Sequence, residues 1–336
     1  MMRIDEPGHD DAAAGVDIRR AAFGYFEGAF TTNPRYAYPG DAIRIKNKWF
    51  SSSDQLVHMI MGGEVYLTPE STDQSWKLGR QLGLQIAAHI LSPFGIRPIF
   101  DDLAAGTGGL GTIGMGPDNL FIHVTGMSDT AWQKVKDVGA QVSLAVPIEM
   151  NMRHGTPPIL KMESLDMEPS LSVDVECTLT ADFFTQMRSC MNLQRSLVNQ
   201  MILDPGFATQ DWWPLQLPGT PDPLTTRDVL RFATINGAKC LRLDGKTGSL
   251  TPGKEADIII LDATRINVAP LNQVPGAVVS LMDRTNVETV IVAGKVRKWK
   301  GQLLDVDLAH LRQQLEASRD YVFTAADIPQ DLFRNN

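Results

Sequence analysis

The amino-acid sequence predicts an α/β protein: a (β/α)8 barrel of the TIM type, of which six strands are counted where eight are needed, with a small β-rich portion after it. Three observations carry this. Short apolar runs alternate with amphipathic stretches, which implies parallel strands joined by helical crossovers. The ends of the later runs recur close to the roughly 31-residue repeat of a (β/α)8 barrel. From Gly245 onward the texture changes to turns and short strands. The expected division is therefore 1–244 for the partial barrel, 245–305 for the β-sandwich portion and 306–336 for a terminal helix and tail.

In chain order, the expected strands are "RAAFGYFEG" (20–28), "GEVYLT" (63–68), "LQIAAHI" (84–90), "NLFIHVTG" (119–126), "AQVSLAVP" (140–147) and "PSLSVDVE" (169–176). "SDTAWQKVKDVG" (128–139) reads as a helix between two of them, with Ser128 as N-cap and Gly139 closing its end. "DPGFATQDWWPLQLPGTPDPLTT" (204–226) interrupts the rhythm. Its prolines, glycines and paired Trp212 and Trp213 describe an ordered loop, either a lid over a site or a packed connector. A helix then opens at Thr225, with Asp228 at the capping-box spacing. "TGSLTPGKEADIIILD" (247–262) and "NVETVIVAGKVRKW" (286–299) read as strands, the second turning back at Ala293-Gly294. Leu308, Leu311 and Leu315 give the last helix one apolar stripe.

The balance of 31 basic and 39 acidic residues leaves a net charge of −8. With its basic residues scattered, the chain is expected to bind neither nucleic acid nor an anionic membrane. Cys177, Cys190 and Cys240 form neither a disulfide framework nor a CxxC motif, and a reducing cytoplasmic setting is expected. The polar N-terminal stretch lacks the apolar core of a secretory signal.

In a parallel barrel, side chains at the C-terminal strand ends share one mouth. His89, His123 and Asp174 occupy such positions. Imidazole and carboxylate are the usual ligands of a divalent ion that lowers the pKa of bound water. Each alone has a plainer reading, a core or rim histidine or a helix N-cap, and it is their joint placement on successive strands that points to a site.

At these residues the chain resembles the amidohydrolase superfamily, in its cytosine deaminase and chlorohydrolase-like branch. "TINGAKCLRLDGKTGSLTPGKEADIIILD" (234–262) with "VETVIVAGKV" (287–296) looks like that family's passage from barrel to β-sandwich. "HVTGMSDTAWQKVKDVGAQVSLAV" (123–146) is similar to its strand-6 histidine, the helix that follows and strand 7, and "LSVDVE" stands where the family reads "GTD". The resemblance implies that His89 is the strand-5 metal ligand and that His123 polarises water or substrate. It implies that Asp174 both ligates the metal and takes a proton from the attacking water. One divalent metal (Zn, Fe or Mn), a small-molecule substrate, cleavage of a non-peptide carbon–nitrogen bond by metal-activated water, and homo-oligomers are what it further implies.

The chain departs from the family pattern at three places. His89-Ile-Leu-Ser92 replaces the usual His-x-x-Glu, so Ser92 stands where a proton-shuttling carboxylate is expected. Glu149 and Glu176 follow predicted strands and are the candidates to substitute, each with a solvated loop carboxylate as its plainer reading. "AVPIEMNMRHG" (145–155) replaces the family's "HCPTSN", leaving His154 as an extra pocket candidate or a surface residue. No His-x-His occurs anywhere. The resemblance starts just past the family's strand 2 and implies an incomplete barrel of strands 3–8, expected as a truncated form or else as a chain that repacks or recruits another subunit. With only His89 and Asp174 as implied ligands, it is expected to hold well under one tightly bound metal. The alternative function is a non-catalytic, metal-free protein that binds a small ligand or a partner subunit.

Overall fold

In "QIAAHIL", Ile86, Ala88 and Ile90 are fully buried while Ala87 and His89 are only half-buried. This two-residue alternation is that of a strand with one packed face. The computed structural model describes residues 41–65, 68–110, 113–176, 179–204 and 219–330. The expected strand at 20–28, Cys177 and the Trp212-Trp213 pair lie outside these residues. Residues 42–304 form one compact unit; the second unit's described residues are Asp41 and 305–330.

Helix α1 (Asp41–Trp49) comes first, and from Ala42 onward it belongs to the first unit. A parallel sheet follows, built from β1 (Met61–Gly62), β2 (Ile86–Leu91), β3 (Asn119–Thr125), β4 (Gln141–Leu144) and β5 (Ser170–Leu171). Their spatial order is their chain order, and every neighbouring pair is parallel. All C-terminal strand ends therefore lie along one edge. Among the described residues the sheet does not close, and β1 and β5 are its outer strands.

Helices cross between the strands. α2 (Pro69–Gln81) starts where the Thr68 side chain accepts the Ser71 N–H and Pro69 takes a first-turn position that needs no N–H partner. α3 (Ile96–Ala105) follows β2, and α4 (Asp129–Asp137) is capped by Ser128, whose hydroxyl accepts the Ala131 N–H. Gly139, at φ 70°, closes α4 as expected. These helices bury Trp76, Phe100 and Trp132. Phe121 on β3 meets Phe100 edge-on at 5.1 Å and Trp76 at 6.3 Å between ring centroids. β3 is buried on both faces except for a half-exposed Ile122, as expected of a strand inside a helix-covered parallel sheet.

Two expected strands are shorter than their apolar runs. "AQVSLAVP" yields only β4, because Pro147 begins a new helix, α5 (Val146–Asn151), within its first turn. "PSLSVDVE" yields the two residues of β5, and Asp174 beyond it has a φ of 63° that no strand accommodates. The strand expected at "GEVYLT" (63–68) is not formed by its described residues: β1 lies just before it and ends at Gly62, so Glu64 lies past the end of β1. α6 (Ile159–Ser164) then leads to β5, and the long α7 (Phe183–Leu203) covers the end of the sheet. α8 (Thr226–Phe232) carries the anticipated capping box between Thr225 and Asp228, and α9 (Ile235–Cys240) follows.

After Gly245 the sheet is antiparallel: β6 (Ile258–Leu261), β7 (Val287–Val292), β8 (Lys295–Trp299) and β9 (Gln302–Leu303), with α10 (Val274–Ser280) between the first two. The β7–β8 hairpin turns at Ala293 (φ 47°) and Gly294 (φ 76°), the two left-handed residues that a tight right-twisted hairpin requires. Ile259 and Ile260 of β6 are exposed. In the second unit, α11 (Leu308–Ala325) buries none of its residues, and Leu308 and Leu315 of the anticipated stripe are exposed. Among the described residues no helix is long and apolar enough to cross a membrane.

Candidate active site

Five side chains converge at the C-terminal edge of the parallel sheet. His89 lies near the end of β2, His123 near the end of β3, and Glu149 on α5 just after β4. His154 sits between α5 and α6, and Asp174 three residues beyond β5.

His123 is held in an unusual backbone. It and Val124 both have left-handed φ values, 73° and 53°, and the β2–β3 register slips there: Ile90 pairs with His123 but Leu91 pairs with Thr125. Val124 is thus an extra, bulged residue. A β-branched side chain in that region costs on the order of 1–3 kcal/mol, and bulges of this kind re-aim side chains beside functional sites. Here the bulge accompanies a 1% exposed imidazole that faces a cluster of polar groups.

Each ring nitrogen of His123 has its own carboxylate. Nδ1 lies 3.0 Å from Glu149 Oε1, and Nε2 lies 3.7 Å from Asp174 Oδ2. Glu149 is fully buried; Oε1 also accepts the Ala145 N–H at 2.8 Å, while Oε2 has no hydrogen-bond partner among the described residues. Burial pushes the Glu149 carboxyl above the usual carboxylate range, against the opposing pull of His123 and the Ala145 N–H. The plainer expectation of a solvated loop carboxylate is therefore corrected: α5 turns Glu149 inward beneath His123.

His154 is also not a surface residue. It is 9% exposed and meets the His123 ring edge-on at 4.9 Å between centroids. Thr125 Oγ1 donates to its carbonyl at 2.6 Å, and its own N–H donates to the Glu149 carbonyl at 3.2 Å. Its buried Nδ1 has no partner among the described residues, and burial holds its pKa below the ordinary histidine value. One potential ligand atom from each of His123, His154 and Asp174 lies within 4.8 Å of the others. A neutral imidazole with an orphaned nitrogen, a second imidazole and a carboxylate at that spacing are a donor set that fits a divalent cation.

His89 stands beside this trio, its ring centroid 5.7 Å from that of His123. Glu64 grips it twice, accepting the His89 main-chain N–H at 2.8 Å and lying 2.7 Å from Nδ1. That hydrogen bond raises the His89 pKa, opposed by burial and reinforced by the charges of Glu64 and Asp174. The sequence offered no reason to single out Glu64, because its place depends on where β1 stops. Ser92 lies in an exposed turn after β2, against Gly126, where a Cβ on the glycine would fall 2.7 Å from that of Ser92. Glu176 is exposed, two residues beyond Asp174.

Known proteins resemble this chain in sequence and in fold. The sequence pattern of the "Amidohydrolase family" matches residues 63–297. A 5'-deoxyadenosine deaminase of Methanosarcina mazei is 31% identical over 183 residues, 54% of this chain and 37% of that protein. A 5-methylthioadenosine/S-adenosylhomocysteine deaminase of Caldanaerobacter subterraneus is 20% identical over 82% of this chain and 60% of its own length. The chain thus spans less than two thirds of these relatives. Among solved structures, an adenosine deaminase from Xanthomonas campestris with bound zinc superimposes with a TM-score of 0.71 at 19% identity. It covers 85% of this chain and 61% of its own. An atrazine chlorohydrolase from Arthrobacter aurescens complexed with zinc gives 0.62 at 16% identity, over 83% and 58%. The fold is that of these barrel hydrolases, and the chain belongs to the amidohydrolase family.

Proposed function

We propose that the protein is a metal-dependent hydrolase of small molecules that exchanges an amino group on carbon for the oxygen of water, releasing ammonia. Deaminases of adenosine derivatives among its relatives make an aminopurine-type amine the substrate class of choice. The observation that carries the proposal is the meeting of His123, His154 and Asp174 at the C-terminal edge of a parallel sheet. These three would hold the cation, with the half-buried His89 beside them. A divalent ion in such a site brings the pKa of a water molecule toward neutrality.

The rest of the work falls to the chain's own groups. Asp174 accepts the proton of the attacking water. Both other carboxylates nearby are engaged with imidazoles, Glu149 with His123 and Glu64 with His89. With Ser92 in place of a carboxylate, Asp174 is then the group that passes the proton to the leaving nitrogen. Two-ligand binding by His89 and Asp174 underlies the sequence expectation of substoichiometric metal. A set of two imidazoles and a carboxylate from His123, His154 and Asp174 supports one ion per chain instead.

Ammonia release from adenosine and 5'-deoxyadenosine, assayed with zinc-, manganese- and iron-loaded protein, tests the proposal. Turnover in the parent that is lost in Asp174→Asn supports it. Turnover unchanged in Asp174→Asn refutes the site. Neither tight metal nor turnover on any amine favours the metal-free ligand-binding alternative, which Ser92 at the shuttle position also favours.

A further inference from the structure

We propose that Glu149 is the positioning residue for His123: it fixes the proton on Nδ1, so that Nε2 is presented unprotonated toward Asp174 and His154. The inference rests on the metal-binding role proposed above and extends it to a residue that no ligand set includes.

The distances decide which nitrogen carries the proton. At 3.0 Å, His123 Nδ1 is within hydrogen-bonding range of Glu149 Oε1; at 3.7 Å, Nε2 is outside it for Asp174 Oδ2. Oε1 already accepts the Ala145 N–H, and as an ionised carboxylate it has only acceptor capacity to offer Nδ1, which makes Nδ1 the donor. A carboxylate behind an imidazole is how ligating histidines are commonly held in one tautomer and orientation.

Geometry also argues against Glu149 being only a helix-start acceptor. It is fully buried, and a buried carboxylate with one unpartnered oxygen is an expensive way to satisfy a single main-chain N–H. Its main-chain carbonyl additionally takes the His154 N–H. One residue thus orients the ring of His123 through its side chain and anchors the backbone of His154. The parallel pair, Glu64 and His89, is far more open, with side chains 21% and 42% exposed. The bond from Glu149 is the one shielded from competition by water.

The test is nitrogen-15 NMR of the histidine rings in metal-free protein at mildly alkaline pH, with His123 assigned by its loss in His123→Asn. The parent is expected to show His123 as the Nδ1–H tautomer. Glu149→Gln keeps an oxygen acceptor and is expected to retain that tautomer. Glu149→Met removes the acceptor and is expected to shift the ring toward Nε2–H. Zinc affinity, measured by competition with a chelating dye, is expected to fall about 10–100-fold in the methionine variant and less in the glutamine variant. An Nε2–H tautomer in the parent overturns the inference, as does an Nδ1–H tautomer that survives Glu149→Met. Should the methionine variant not fold, the parent and glutamine spectra still decide, since Nε2–H in either contradicts the inference. The parent tautomer does not depend on metal. A correct tautomer with no zinc binding would refute the metal proposal and leave Glu149 as assigned; tight zinc with the wrong tautomer would do the reverse.

Discussion

Two adjacent glycines should respond in opposite directions to the same added methyl group. Gly63 precedes Glu64, and its surroundings are fixed on three sides. Its N–H donates to the Ala87 carbonyl at 2.8 Å, its carbonyl accepts the Trp76 indole N–H at 2.8 Å, and Ile86 packs against it. A Cβ there would fall 2.6 Å from both Ile86 Cγ2 and Trp76 Nε1. Both neighbours are fully buried, so neither can swing aside. Overpacking of this sort costs about 1–3 kcal/mol. At Gly62 a Cβ would meet nothing within 4 Å, and its φ is not left-handed. There, alanine should stabilise by about 0.4–1 kcal/mol through the unfolded chain alone. That entropic gain is common to both variants. The difference between Gly62→Ala and Gly63→Ala therefore isolates the clash, about 1–3 kcal/mol, or roughly 2–12 °C in Tm at this size. Thermal and urea unfolding of the two variants beside the parent measure it. Equal stabilities, or a more stable Gly63→Ala, would refute the packing that positions Glu64.

Other outcomes follow from the same structure. The raised His89 pKa means that the Glu64–His89 pair stabilises the metal-free chain below the ordinary histidine value of about 6.5, and loses that contribution as pH rises through the folded-state pKa. Glu64→Gln should thus destabilise more at about pH 6 than in alkaline buffer, by less than about 1 kcal/mol for so exposed a pair; a larger alkaline effect in urea unfolding would contradict the assignment. Cys190 is fully buried and its thiol is pushed up to about 12 by burial, with the charges of Glu149 and Glu163 adding to it. It should resist alkylation in the native protein and react only after unfolding; rapid native labelling at Cys190, mapped by mass spectrometry, would show that α7 is not packed as described.

Features set by local chemistry were legible in the sequence. Ser128 and Thr225 cap their helices because a hydroxyl there needs only the N–H groups of the next turn, and Ala293-Gly294 turns the hairpin for equally local reasons. The histidines and aspartate were legible because parallel strands send their ends to one edge whatever their exact lengths. What depends on tertiary packing was not. Glu64 joins the site because β1 stops at Gly62 while the Trp76 indole holds the Gly63 carbonyl, and nothing in "GEVYLT" says so. For Glu149 and His154 the sequence leaves an outward place open beside a pocket one because "AVPIEMN" looks like strand and loop; Pro147, a first-turn helix residue, is the available signal for α5. The left-handed backbone at His123 and Val124 has no sequence mark, since the β-branched Val124 disfavours it and only the surrounding sheet enforces it.

Titration of the metal-free chain with zinc, followed by elemental analysis of the desalted protein, decides whether the three donors act together. One tightly held ion per chain is expected, falling at least tenfold in affinity when His154→Ala or Asp174→Asn removes a donor. A parent that retains no ion, or variants that bind it as well as the parent, would mean that these side chains do not form a metal centre.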